Sequence, residues 1–196
     1  RIDSDTAGRP TLIHGKTQML FGGMGRLSEN CVLNLKNKSH SITAEIEVPE
    51  KGAEGVIACQ GANIGGWSLY AKGGKLKYCY NWGGYKHFMV EGGTVLSPGD
   101  HQVRMEFAYD GGGLGKGGKA TLYVDGQKDG EGVIGATLAM IFSADDGCDV
   151  GKDGGSDDID ERYAARAMDG FGAFILGRNM FGPIRGAWPD DAWKGW

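Results

Sequence analysis

From Gly61 to Gly84 apolar and polar residues trade places at every second position. Trp67, Leu69 and Ala71 alternate with Ser68, Tyr70 and Lys72; then Leu76, Tyr78, Tyr80 and Trp82 alternate with Lys77, Cys79 and Asn81. A two-residue period belongs to a strand with one buried face. Between the two runs stands Gly73-Gly74, and glycine adopts without steric cost the positive φ that both central residues of a type I′ turn require. The stretch predicts a β-hairpin. Its aromatic residues form the largest apolar load in the chain, so a second sheet has to cover one face.

The same period recurs along the chain. A strand is expected near Thr17 to Phe21, and a cleaner one over Ser41 to Val48, with Ile42, Ala44, Ile46 and Val48 on one face. Pro49 ends it, because proline cannot donate to a ladder. Gly55 to Cys59 leads into the hairpin, and Gln102 to Tyr109 alternates with Val103, Met105, Phe107 and Tyr109 inward. A loop, Asp110 to Lys119, separates that strand from its partner Ala120 to Val124; Asp125-Gly126 marks another tight turn, and Leu138 to Ser143 reads as a last apolar strand. Many short strands without intervening helices predict an antiparallel β-sandwich.

Composition sharpens this picture in a few places. The 37 glycines among 196 residues follow no Gly-X-Y period, so they mark turns rather than collagen. A formal net charge of −4, with both signs interspersed, favours neither nucleic acid nor an anionic membrane as partner. No apolar run approaches the ~20 residues of a membrane-spanning helix. Because the chain opens at Arg1, its true beginning is expected to lie upstream. Cys31, Cys59, Cys79 and Cys148 form no CxxC pair, which points to buried free thiols rather than a zinc site.

Several stretches carry candidate chemistry. Gly113 to Ala120, GLGKGGKA, falls one residue short of a phosphate-binding loop. A strand rather than a helix follows it, so a mobile hairpin loop is the reading. The acidic series that includes Asp145, Asp146 and Asp149 offers oxygen ligands to calcium. None of His14, His40, His87 and His101 belongs to a nucleophile motif such as GxSxG, leaving only a triad assembled from distant strands. Aromatic side chains are the strongest functional lead: Trp67, Tyr70, Tyr80, Trp82 and Tyr85, with His87, lie on or near the hairpin. Sugar rings stack on such side chains, and the same residues are equally suited to covering a neighbouring protein domain.

Five segments carry a family resemblance: AGRP at Ala7 to Pro10, NLKNKSHSITAEIEVPEKGAEGVIACQG, GGWSLYAKGGKLKYCYNW, LSPGDHQVRMEFAYDGGGLGKGGKATLYVDGQK and FSADDGCDVGKD. Over roughly residues 1–155 they resemble the C-terminal β domain of bacterial arylsulfatases. The resemblance implies a jelly-roll sandwich of the concanavalin or laminin-G type, packed beside a catalytic domain. It also implies a periplasmic or secreted setting; without that context the cytoplasm is the alternative. The sulfatase nucleophile motif, Cys or Ser followed by x-Pro-x-Arg, is absent from these residues, and with it the family's chemistry.

Residues 156–196 read differently. Ser156 to Asp169 predicts a helix, acidic in its first turn and followed by Gly170; Gly172 to Leu176 predicts a short strand. ERYAARAMDGFGAFILGRNMFGPIRGAWPDDAWKGW resembles part of the RibD C-terminal, dihydrofolate-reductase-like family. That resemblance implies an NADPH phosphate contact at Gly177, Arg178 and Asn179, and so a reductase, or a hydrolase assembled across the junction, as the alternative function. The family's first strand and later glycine-rich segment are missing. The expectation is therefore a β-sandwich over 1–155, not itself an enzyme, that binds glycans or packs between domains, with a helix-strand tail over 156–196 packed on the sandwich and covering its open edge.

Overall fold

A computed structural model describes residues 11–143 and 146–153. All belong to the first of two compact units, Arg1–Asp160; the second, Glu161–Trp196, lies wholly outside the described residues, as do the tail helix and the strand expected at Gly172 to Leu176. Among the described residues, nine antiparallel strands form two sheets. One contains β1 (His40–Val48), β6 (Gly99–Tyr109), β7 (Gly118–Val124) and β8 (Gln127–Ile134), in the order β1-β6-β7-β8. The other contains β2 (Gly55–Ala62), β3 (Gly65–Lys72), β4 (Lys75–Trp82), β5 (Lys86–Val95) and β9 (Cys148–Val150), in the order β5-β4-β3-β2-β9. No described helix is long and apolar enough to cross a membrane.

The hairpin forms as its alternation requires. Lys72 pairs with Lys75 around Gly73 and Gly74, whose φ values are 62° and 74°, the positive pair that a type I′ turn demands. Asp125 and Gly126, at 50° and 78°, do the same between β7 and β8. Leu69, Leu76 and Tyr78 of one sheet meet Val103, Met105, Leu122 and Ile134 of the other, all fully buried. Each such large side chain contributes ~1.5–3 kcal/mol relative to exposure.

β5 and β8 are too glycine-rich to be legible as strands, and the structure gives the reason. A Cβ on Gly130 would lie 2.4 Å from the Glu91 carbonyl oxygen, and one on Gly132 would lie 2.8 Å from Val90 Cγ2. Here the two sheets approach so closely that no side chain fits between them. Asp129 Oδ1 also accepts the Thr94 N–H across the gap at 2.8 Å. The sandwich is pinched along this side.

Two expected strands are corrected. Thr17 to Phe21 is irregular, because its neighbour is reached through a side chain instead of a ladder: the Gln18 amide donates to Cys31 O and accepts from Leu33 N–H. Leu138 to Ser143 likewise forms no strand. Its Leu138 N–H donates to Tyr80 Oη, its Phe142 N–H to Glu29, and its Ala139 carbonyl accepts from Asn37. Side chains satisfy the backbone there, so the segment crosses the end of the sandwich as a cap. Beneath it Lys36 forms an ion pair with Glu29 and lies 4.8 Å from the Phe142 ring centroid. Of the Gly113 to Ala120 stretch, Gly118 to Ala120 open β7 and the rest is loop, where Tyr109 Oη donates to Gly113 O at 2.6 Å and accepts from Lys116 N–H at 2.9 Å.

Candidate functional sites

Opposite the pinched side, β1 and β2 stand apart, and a cleft of about 860 Å³ opens between the sheets. Small inward residues leave that room: Ala44 on β1, Ala58 on β2 and Ala71 on β3 all line it. Gln18 to Gly22, with Val32, Leu33 and Leu35, contribute the outer wall. Across its floor, register places Cys148, Gln60 and Trp67 side by side on β9, β2 and β3. Burial, and then Asp149, pushes the Cys148 thiol up to about 11, so it stays neutral. The Trp67 indole N–H is buried without an acceptor, a state that costs about 1–3 kcal/mol. Sequence reading missed this cleft; its one linear signal is alanine recurring at inward positions where the hairpin carries large residues.

The aromatic candidates separate by position. Trp67 is 7% exposed and Tyr80 5%, so neither offers a ring face at the surface; Tyr80 instead packs edge-on to Phe142, 6.3 Å between centroids. Burial pushes the Tyr80 hydroxyl up to about 12, keeping it neutral. Tyr70 is half-buried and His87 exposed, both on the outer face of the five-stranded sheet. Trp82 shares its parity with Tyr78 and Tyr80 but sits at the end of β4, past the core, where it is 38% exposed. Tyr85, in the following turn, is 89% exposed, and its ring lies 6.4 Å from that of Trp82 at an interplanar angle of 56°.

That turn is held in place from beneath. Asn81 Oδ1 accepts the Gly84 N–H at 2.9 Å, while Asn81 Nδ2 donates to the Asn63 carbonyl at 3.0 Å. One buried amide thus ties the β4–β5 turn to the β2–β3 turn, whose Ile64 is 67% exposed. Gly83 and Gly84 both have positive φ, which lets the turn reverse tightly enough to leave both rings outside.

Of the acidic candidates, Asp145 lies outside the described residues. Asp146 donates its backbone N–H to Ser143 Oγ at 3.1 Å. Asp149 is buried, accepts the Arg26 N–H, and gathers with Cys59 and Asp153 so that one donor atom of each lies within 4.8 Å of the others. Burial and both carboxylates push the Cys59 thiol upward. A thiol and two carboxylates form a softer set than the all-oxygen shell of calcium. Cys59 is paired with Asp149 and Cys148 with Gln60, so the two buried thiols face opposite sides of the sheet. All four cysteines are free.

A hydrolytic triad has one geometric candidate among the described residues. His101 Nδ1 lies 2.7 Å from Asp125 Oδ2, and its Nε2 lies 3.2 Å from Ser97 Oγ. Nε2, however, is closer to the Ser97 carbonyl oxygen, at 2.9 Å, and a carbonyl can only accept. Both ring nitrogens therefore donate, the Asp125 hydrogen bond holds the ring above the ordinary histidine range, and the group is a cationic clasp rather than a general base. Gly177, Arg178 and Asn179 lie outside the described residues.

No family profile matches the chain, and the search of curated proteins finds no match. These comparisons thus lend nothing to the sulfatase or reductase resemblance. Among solved structures the chain is similar to the mouse laminin alpha1 chain, domains LG4-5, at 18% identity and a TM-score of 0.41. The match covers 62% of this chain and 28% of that one.

Proposed function

We propose that the sandwich is a non-catalytic binding module that takes a saccharide on the Trp82–Tyr85 turn. The carrying observation is that two aromatic rings stand exposed, 6.4 Å apart, on a turn fixed by the buried Asn81 amide. Apolar sugar faces stack on rings presented in this way, and a turn that is already ordered loses little freedom on binding. Lys86 and His87 follow directly in the chain, and Asn63 stands on the β2–β3 turn that Asn81 ties to this one; they supply polar groups for hydroxyls. On this reading the sulfatase resemblance supplies a context, an accessory domain beside an enzyme whose chemistry resides elsewhere.

A glycan array probed with the full chain, followed by titration of any retained sugar, tests the proposal. Trp82→Ala and Tyr85→Ala should each weaken binding at least tenfold, about 1.4 kcal/mol, without lowering the melting temperature. Unchanged affinity in both variants would defeat it. An array that retains no sugar would also overturn it, in favour of the patch formed with exposed Ile64 packing against a neighbouring protein domain.

A further inference from the structure

On the open side the four-stranded sheet stops one strand short of the other. β5 meets β8 and β4 meets β7; counting on from that pinched side, β3 faces β6 and β2 faces β1, which leaves β9 without a strand opposite it among the described residues. β1 is therefore an edge, and its free backbone groups can be assigned. Asp125 N–H donates to Gln102 O, so even-numbered residues of β6 turn their backbone groups to β7 and odd-numbered ones to β1. By the β1–β6 register, Ser41, Thr43, Glu45 and Glu47 then point N–H and C=O away from β6, where no described residue bonds them. We infer that this edge takes an antiparallel strand from a partner protein, an extended segment that alternates apolar and basic residues. The edge supplies the ladder that strand addition uses. On the inner face Ile42, Ala44 and Ile46 are only half-buried, and Phe21, Cys148 and Val150 line the same space, so every second residue of the incoming strand meets apolar surface. On the outer face Glu45 and Glu47 are exposed. Their β6 partners, Gln102 and Asp100, bring no positive charge, and Arg104, the one arginine of β6, is engaged by Glu106 and the Tyr123 ring. Lysine or arginine opposite the two glutamates completes cross-strand pairs. A second copy of this chain fits poorly, because its β1 arrives with its own β2 beneath it, in the place that β9 holds.

Fluorescence anisotropy of a labelled heptapeptide alternating lysine and valine, titrated with the full chain, is the experiment. Saturable binding is expected, at least tenfold tighter than for a peptide of the same composition with its lysines and valines in separate blocks. In an antiparallel ladder the residues opposite Thr43, Glu45 and Glu47 turn their N–H groups to β1, so N-methylation of the lysines should abolish binding and N-methylation of the valines should spare it. Thr43→Pro removes an edge donor that β6 does not use, a change an edge strand tolerates, and should weaken the peptide at least tenfold at a melting temperature near wild type. Glu45→Lys with Glu47→Lys should weaken it as much, and should bind a peptide alternating glutamate and valine more tightly than wild type does. Should Thr43→Pro unfold the protein, the charge reversal and the methylated peptides decide. Non-saturable binding, equal affinity for the block peptide, equal losses from the two methylations, or indifference to the charge reversal would each overturn the assignment. A wild-type dimer in sedimentation that Thr43→Pro dissolves would overturn it too, giving the edge to a second copy. Trp82 and Tyr85 lie outside the cleft lining, so their alanine variants should bind the heptapeptide normally, which separates this site from the saccharide site.

Discussion

Gly130→Ala tests whether the pinched side of the sandwich depends on missing side chains. Gly130 lies on β8, and an added Cβ would lie 2.4 Å from the Glu91 carbonyl oxygen and 3.2 Å from Gly92 Cα. Both atoms are backbone, so relief requires moving β5 as a whole, and β5 is held by its ladder to β4 along Lys77 to Trp82. Overpacking of this kind costs ~1–3 kcal/mol, equivalent to a fall in melting temperature of roughly 2–12 °C for a chain of this size. Gly93→Ala is the internal control. Its Cβ would meet only the Asp129 backbone oxygen, at 3.7 Å, and the far end of that side chain, at 4.0 Å. The loss of unfolded-state freedom should then dominate and stabilise by ~0.4–1 kcal/mol. Thermal melts followed by far-ultraviolet circular dichroism give both numbers. A Gly130→Ala protein melting at or above wild type, or shifted equally with Gly93→Ala, would show that the inter-sheet approach does not require glycine.

Two further variants probe the end cap and a clasp. Lys36→Met should cost ~3–5 kcal/mol in urea unfolding, because it leaves the largely buried Glu29 carboxylate without its cation; the double variant with Glu29→Leu should recover part of that loss, and no recovery would refute the pairing argument. For His101 the Asp125 hydrogen bond raises the folded pKa above the ordinary histidine value, so its contribution is fully present below about 6.5 and is lost as pH rises through the folded value. The same bond lowers Asp125, whose contribution is present above its unfolded pKa and is lost as pH falls through the folded one. Asp125→Asn, which tolerates the positive φ at this position, should flatten the decline in melting temperature between pH 6 and pH 9; parallel profiles for the two proteins would rule the clasp out as a pH-dependent element.

Periodicity and turn chemistry were sufficient for the hairpin of β3 and β4, for β1, and for β6 with β7, since in each the chain alternates and the bounding turns use residues that positive φ or a missing N–H singles out. They were sufficient too for two-sheet architecture, because so many half-apolar strands bury their inner faces only against one another. What the linear text could not carry is distance between segments remote in sequence. β5 and β8 look like loops until the Glu91 carbonyl and the Gly130 Cα are seen to approach, and only then does glycine become the residue that a strand requires there. Leu138 to Ser143 looks like a strand until Tyr80, Glu29 and Asn37, each remote in the chain, satisfy its backbone. The aromatic positions sort in the same way. Alternation assigns Trp67, Tyr80 and Trp82 to one face, but where the core ends along that face depends on the covering sheet and cap, so Trp67 and Tyr80 are enclosed and Trp82 emerges beside Tyr85. The cleft is the strongest case: Ala44, Ala58 and Ala71 are unremarkable one at a time, and they open a cavity only because two sheets, pinched at one edge, bring three small residues around a single space.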